Sequence, residues 1–268
     1  VKAKDKIEQL ASKLSRYLSP QVYQSIFSGK KNVKIEAYRK KLTVFFSDIK
    51  GFTEITDRLE PEVLSTLLNS YLNEMSKIAL KYGGTIDKFV GDAILIFFGD
   101  PETKGDKEDA YSCVLMALEM QERMHHLKNL WEGQGITNPL EIRIGINTGY
   151  CNVGNFGSEN RLDYTIIGGE VNLASRLESN AMTGQILISQ ETYALIKKHI
   201  VCEKKDEIKV KGIAHKIQTY QVVGSYKNIA QKRKILNEEF DGFNLNIDLN
   251  ISKKNKVITS LELSLIHI

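Results

Sequence analysis

Residues 85–99 read TIDKFVGDAILIFFG, and no other stretch restricts the fold of this chain as much. Thr85 to Val90 and Ala93 to Phe98 are short runs rich in β-branched and aromatic residues. Gly91-Asp92 separates them, a pair suited to a two-residue primed turn. The pattern predicts a hairpin with a carboxylate at its tip. Taken alone, Asp92 is explained by turn chemistry, since Asp bonds to its own main chain and tolerates unusual backbone angles.

The segments on either side give the hairpin a context. LTVFFSD (42–48) reads as a strand. Between Pro61 and Tyr82, Val63, Leu64, Leu67, Leu68, Tyr71, Leu72, Met75, Ile78 and Ala79 recur with helical spacing until Gly83-Gly84 stops the run. A second helix is expected from Lys107 to Trp131. After it come a strand at EIRIGINT, a Gly-punctuated stretch and a helix from Glu170 to Asn180. The order is βαββαβ, an α+β fold with a ferredoxin-like core and additional strands and helices towards the C-terminus. A right-handed crossover makes strand 85–90 run parallel to strand 42–48. The split βαβ arrangement then sets the strand from Ala93 beside the first strand, bringing Asp48 and Asp92 together at one edge. Neighbouring carboxylates repel unless neutralised, and hard oxygen ligands at a sheet edge suit Mg²⁺ shared with substrate phosphates.

A chain of 268 residues with 42% hydrophobic content can bury the core of one catalytic-size domain with extensions. Its 37 Lys and Arg are interspersed with 33 acidic residues, so no nucleic-acid stripe stands out and no nucleic acid is expected as a partner. Cys113, Cys151 and Cys202 lack ligand-like spacing and are odd in number, which indicates neither a disulfide framework nor a zinc site. No run approaches the roughly eighteen apolar residues of a membrane span, and no signal peptide is present, so the segment is expected to be cytoplasmic.

The ends carry separate expectations. In KIEQLASKLSRYL, Ile7, Ala11, Leu14 and Leu18 form a heptad-like seam, consistent with a signalling helix fed by an upstream sensor or membrane region, or with an ordinary amphipathic helix. Residues 1–40 are read as this helix and a connector, 41–224 as the catalytic domain and 225–262 as an extension of unknown role. LSLIHI (263–268) is what CTG TCT CTT ATA CAC ATC encodes, a transposase-adapter sequence, and is expected to be a sequencing scar, the alternative being a genuine apolar tail.

FFSDIKGFT, KFVGDA and DYTIIGGEVNLASRLE together resemble the catalytic domain of class III nucleotidyl cyclases, over residues 41–222. The resemblance implies cyclisation of ATP to cyclic AMP and pyrophosphate. It implies two ions, Mg²⁺ or Mn²⁺, held by Asp48, Asp92 and the Ile49 carbonyl. Asn172 would orient the ribose and Arg176 would stabilise charge at the α-phosphate. Lys211 would contact the terminal phosphates, as would Gly51, Phe52 and Thr53, although Lys209 or Lys216 could align in place of Lys211. Lys88 and Thr165 would read adenine. A Lys donates and cannot accept, which suits adenine N1 and mismatches the protonated N1 of guanine. Thr165 resembles the soluble branch of the family, which responds to bicarbonate, so bicarbonate is a candidate effector. Tyr150 stands where some relatives place a phosphate-contacting Arg. The family pairs the metal aspartates of one subunit with the base-reading pair, Asn172 and Arg176 of the other, so a homodimer is expected. A diguanylate cyclase would carry GGDEF or GGEEF at the hairpin, which here reads FVGDAI. A nucleotide-binding module without turnover would be expected to have lost an aspartate or Arg176.

Overall fold

A computed structural model describes residues 17–29, 34–134, 136, 140–209 and 216–226, with Lys6 and Lys13 and, as backbone only, 235–240 and 243–248. The heptad-like seam before Leu18, Lys211 and the LSLIHI end lie outside the described residues. The chain divides into two compact units, residues 1–198 with 202–223, and 199–201 with 224–268.

In the larger unit the order is α1 (Pro20–Phe27), β1 (Glu36–Ile49), α2 (Phe52–Thr56), α3 (Pro61–Tyr82), β2 (Thr85–Val90), β3 (Ala93–Phe98), α4 (Asp106–Gly133), β4 (Ile142–Ser158), β5 (Arg161–Ile167), α5 (Gly169–Asn180), β6 (Ile186–Ser189) and α6 (Gln190–Ile196). β7 (Ile200–Lys204) and β8 (Thr219–Ser225) complete an eight-stranded sheet in the order β2-β3-β1-β4-β6-β8-β7, with β5 paired to β4. This is the expected α+β arrangement. β1 and β2 both run antiparallel to β3 and are therefore parallel to each other.

From Leu42 to Phe46, β1 is largely apolar without alternation because both of its faces are covered there. Leu42 and Val44 face one side, in a cluster with Leu95, Phe97, Cys151, Val153, Ile166 and Ala174 of α5. The intervening Thr43, Phe45 and Ser47 point the other way. There the Thr43 and Thr148 hydroxyls lie 2.9 Å apart, and Ser47 Oγ lies 3.4 Å from the Tyr71 hydroxyl of α3.

Two expectations need correction. The first strand was expected from Leu42 but begins at Glu36, because its charged start still pairs through the main chain with β4, Glu36 opposite Asn155. The Gly-punctuated stretch is the second half of β4 and the whole of β5. Glycines at 149, 154 and 157 remove the side chains that would have shown a two-residue period. In the smaller unit, β9 (Ile235–Phe240) and β10 (Phe243–Asp248) form an antiparallel hairpin.

Candidate active site

The register of the sheet places the first pair of residues. Ser47 of β1 lies opposite Ile94 of β3, so the next residue along β1, Asp48, arrives beside the turn that carries Asp92. Gly91 makes that turn with φ +66°, while Asp92 keeps a negative φ, which matches the primed class with Gly in first position. The Ile49 amide donates to Asp92 Oδ2 at 3.0 Å. Burial and the Asp48 carboxylate push the Asp92 carboxyl up to about 7, and the Ile49 amide opposes them. The only cation paired with Asp48 among the described residues is Arg143, directly opposite on β4, with Nη2 3.5 Å from Asp48 Oδ2. Arg143 is shared, since its Nε also lies 2.6 Å from Glu178 Oε1 of α5. Two crowded carboxylates with one divided counter-charge fit a divalent cation. Among the described residues no cluster of three or more His, Cys, Asp or Glu could hold one. Further ligands would therefore be a carbonyl such as that of Ile49, water or phosphate oxygens.

A second group forms between β2 and β5. Asp163 and Thr165 alternate along β5 and face the same way. Lys88 Nζ donates to Asp163 Oδ2 at 2.9 Å and lies 3.4 Å from Asp87 Oδ1. The Thr165 hydroxyl donates to Asp87 Oδ2 at 2.6 Å. β5 is also held through Tyr164, whose hydroxyl donates to the buried Asp100.

The third group lies on α5. Gly145 of β4 sets its approach. A Cβ there would come within 2.1 Å of the Glu178 nitrogen and 2.3 Å of the Ala174 oxygen, so the helix backbone rests on the strand only because position 145 has no side chain. Leu173, Ala174, Leu177 and Glu178 are buried, whereas Asn172 and Arg176 are exposed. At roughly 100° per residue, the Asn172/Arg176 side lies about 140° around the helix from Glu178, the residue that reaches Arg143. Among the described residues, no side-chain hydrogen bond or ion pair joins Asp48 or Asp92 to Lys88, Thr165, Asn172 or Arg176.

The remaining expected residues are more scattered. Gly51, with φ +69°, precedes the short α2 that begins with Phe52 and Thr53, immediately after the Asp48 strand. Lys211 lies outside the described residues; its neighbours Lys209 and Lys216 are exposed. Tyr150 is exposed, with the Arg39 guanidinium 4.6 Å above its ring. Sequence reasoning missed Asp87, Arg143, Asp163 and Glu178. Arg143 was legible only as a charge in EIRIGINT, and Asp87 sits beside Lys88 but would face away from it in a regular strand.

Residues 33–224 match the family described as the adenylate and guanylate cyclase catalytic domain. This chain belongs to that family. It is 64% identical to the adenylyl cyclase CyaB from P. aeruginosa, whose crystal structure superposes with a TM-score of 0.70 over 72% of this chain and 98% of that one. The guanylyl cyclase Cya2 is 37% identical, with a TM-score of 0.68 over 71% and 95% of the two chains. A terminal-differentiation-specific adenylate cyclase from Dictyostelium discoideum is 34% identical over 81% of this chain. The chain spans 10% of the Dictyostelium protein and 44% of an adenylate cyclase from Anabaena cylindrica, to which it is 28% identical. Cyclases named for either base are thus among the relatives. No helix among the described residues is long and apolar enough to cross a membrane.

Proposed function

We propose that this cyclase domain converts ATP to 3′,5′-cyclic AMP and pyrophosphate, at sites shared between two copies of the chain, as the output domain of a longer signalling protein. The observation that carries the reading is the meeting of Asp48 and Asp92 at one sheet edge, where the cation beside Asp48, Arg143, is shared with Glu178. In the reaction the ribose 3′-oxygen bonds to the α-phosphorus and the bond to the bridging β-phosphate oxygen breaks. Pyrophosphate leaves, and the 3′-hydroxyl proton passes to solvent.

Asp48, Asp92 and the Ile49 carbonyl would hold two divalent ions, Mg²⁺ or Mn²⁺, which when bound make the 3′-hydroxyl more acidic and neutralise the triphosphate. Arg176 stabilises the charge that grows on the α-phosphate oxygens, and Asn172, one turn away on the same exposed face, orients the ribose. Lys88 donates to adenine N1 and Thr165 accepts from the 6-amino group, a pattern that guanine inverts. Gly51, Phe52, Thr53 and Lys211 complete the triphosphate contacts. The family resemblance pairs the aspartates of one chain with Asn172 and Arg176 of another, so a two-fold dimer would carry two equivalent sites. The separation, around α5, of Glu178, which reaches Asp48 through Arg143, from the exposed Asn172/Arg176 face supports that reading.

The test is turnover by the purified chain with ATP and Mg²⁺ or Mn²⁺. Cyclic AMP should form, and Asp48→Ala should lower the rate by on the order of a hundredfold or more. Cyclic GMP from GTP with no product from ATP would overturn the base assignment, and no cyclic product from either nucleotide would overturn the reaction.

A further inference from the structure

The base assignment leaves one chemical ambiguity. Lys88 can only donate, but a threonine hydroxyl can donate or accept. A free hydroxyl at position 165 would accept from the 6-amino group of adenine and donate to the 6-oxo group of a hypoxanthine or guanine base equally well. Thr165 therefore discriminates only if something fixes the direction of its hydroxyl proton.

The fold supplies that group. Ile86 of β2 pairs with Ile96 of β3, yet Lys88 pairs with the next residue, Leu95, so Asp87 is the extra residue of a β-bulge. Such a bulge re-aims side chains that a regular strand would alternate, and here both Asp87 and Lys88 reach β5. The Asp87 side chain is fully buried. Its Oδ2 accepts from the Thr165 hydroxyl at 2.6 Å and from the Ile166 amide at 3.3 Å, and Lys88 Nζ lies 3.4 Å from its Oδ1. An ionised carboxylate offers no proton, so the proton between Asp87 and Thr165 belongs to the hydroxyl. Burial pushes the Asp87 carboxyl up, and Thr165, the Lys88 ammonium and the Ile166 amide oppose it in that order.

We propose that Asp87 is a specificity-determining positioning residue: by taking the Thr165 hydroxyl proton, it leaves Thr165 able only to accept from the base. The inference rests on the reading of Lys88 and Thr165 as the adenine pair. The buried carboxylate thus makes Thr165 an acceptor beside Lys88, which is a donor by its own chemistry, and the two together complement N1 and the 6-amino group of adenine. Asp163, the other partner of Lys88, leaves the remaining ammonium protons for N1.

The test compares kcat/KM for ATP and for inosine triphosphate, which carries a 6-oxo group, in the full chain. Asp87→Leu keeps the branched shape and removes the acceptor. It should lower the ATP-over-ITP ratio by on the order of tenfold, chiefly by raising relative use of ITP. Asp87→Asn should keep the ratio near wild type, because the Ile166 amide holds the side-chain carbonyl towards Thr165. Thr165→Val separates the two levels of the account and serves if Asp87→Leu does not fold. It should lower kcat/KM for ATP without lowering that for ITP, since an acceptor facing a 6-oxo group contributes nothing to binding it. An equal fall for both substrates would mean that the hydroxyl donates to the 6-oxo group, and the role of Asp87 would be wrong although Thr165 still reads the base. A wild-type ratio in Asp87→Leu, with a changed ratio in Thr165→Val, would overturn the role of Asp87 alone. If Thr165→Val changes neither substrate, Thr165 does not face the base, and the adenine assignment falls together with this inference.

Discussion

The amide of Ile49 donates a 3.0 Å hydrogen bond to the Asp92 carboxylate, fastening the tip of one hairpin to the end of the neighbouring strand beside Asp48. A hydrogen-bonding partner for one carboxylate and a shared cation for the other do not neutralise the pair, and the site's pH behaviour follows.

In the metal-free protein the Asp92 carboxyl is pushed from an ordinary 3.8 up to about 7. The folded state thus holds this proton more tightly than the unfolded chain. The resulting stabilisation is complete below about pH 4 and is lost as pH rises through about 7. Asp92→Asn should raise the metal-free melting temperature at about pH 8 and leave it nearly unchanged at about pH 4. Calorimetric titration of Mg²⁺ or Mn²⁺ in buffers of different ionisation enthalpy should show proton release near neutral pH, decreasing as pH is raised.

Arg143 bridges Asp48 and the buried Glu178. Arg143→Ala leaves Glu178 buried without its cation, and urea denaturation should show a loss of about 3 kcal/mol. Adding Glu178→Gln should recover part of it. A double variant no more stable than Arg143→Ala would mean that the cost lies elsewhere than in the stranded carboxylate.

Gly145→Ala should be among the more damaging small changes in the domain. Its Cβ would fall 2.1 Å from the backbone nitrogen of Glu178, so α5 must move off β4, carrying Asn172 and Arg176 with it. We expect a loss of about 2 kcal/mol or more by denaturant titration, with a lower kcat in the protein that remains folded.

The hairpin, both long helices, α5 and the meeting of Asp48 with Asp92 were legible in the sequence, because apolar periodicity and the handedness of one crossover fix them. The extent of β1 and the existence of β5 were not. Their signal is main-chain pairing across charged or glycine-containing segments, which leaves no apolar period. The neighbours of Lys88 were hidden for a different reason. A regular strand puts Asp87 and Lys88 on opposite faces, and only the register slip between Ile86 and Lys88 lets both reach β5.

Base preference offers a test independent of Asp87. Lys88→Glu with Thr165→Cys inverts the donor and acceptor pattern and should shift the ATP-over-GTP ratio of kcat/KM towards GTP by on the order of tenfold or more. The double change sets a third carboxylate beside Asp87 and Asp163, so the ratio, not the rate, is the quantity to follow. An unchanged ratio in a folded protein would remove Lys88 and Thr165 from the base site.

The shared site is tested most directly by mixing two inactive variants. Asp92→Ala alone and Arg176→Ala alone should each be nearly inactive, since every homodimer of either lacks one half of the chemistry at both sites. In a heterodimer, the intact aspartates of the Arg176→Ala chain face the intact Asn172 and Arg176 of the Asp92→Ala chain at one site, while the other site carries both lesions. With free exchange, half the dimers have half their sites working, and the mixture should regain about a quarter of wild-type cyclic AMP production. If differently tagged chains are shown to have exchanged and activity stays at the level of the single variants, the aspartates and Arg176 do not act across a dimer, and the proposed site is wrong.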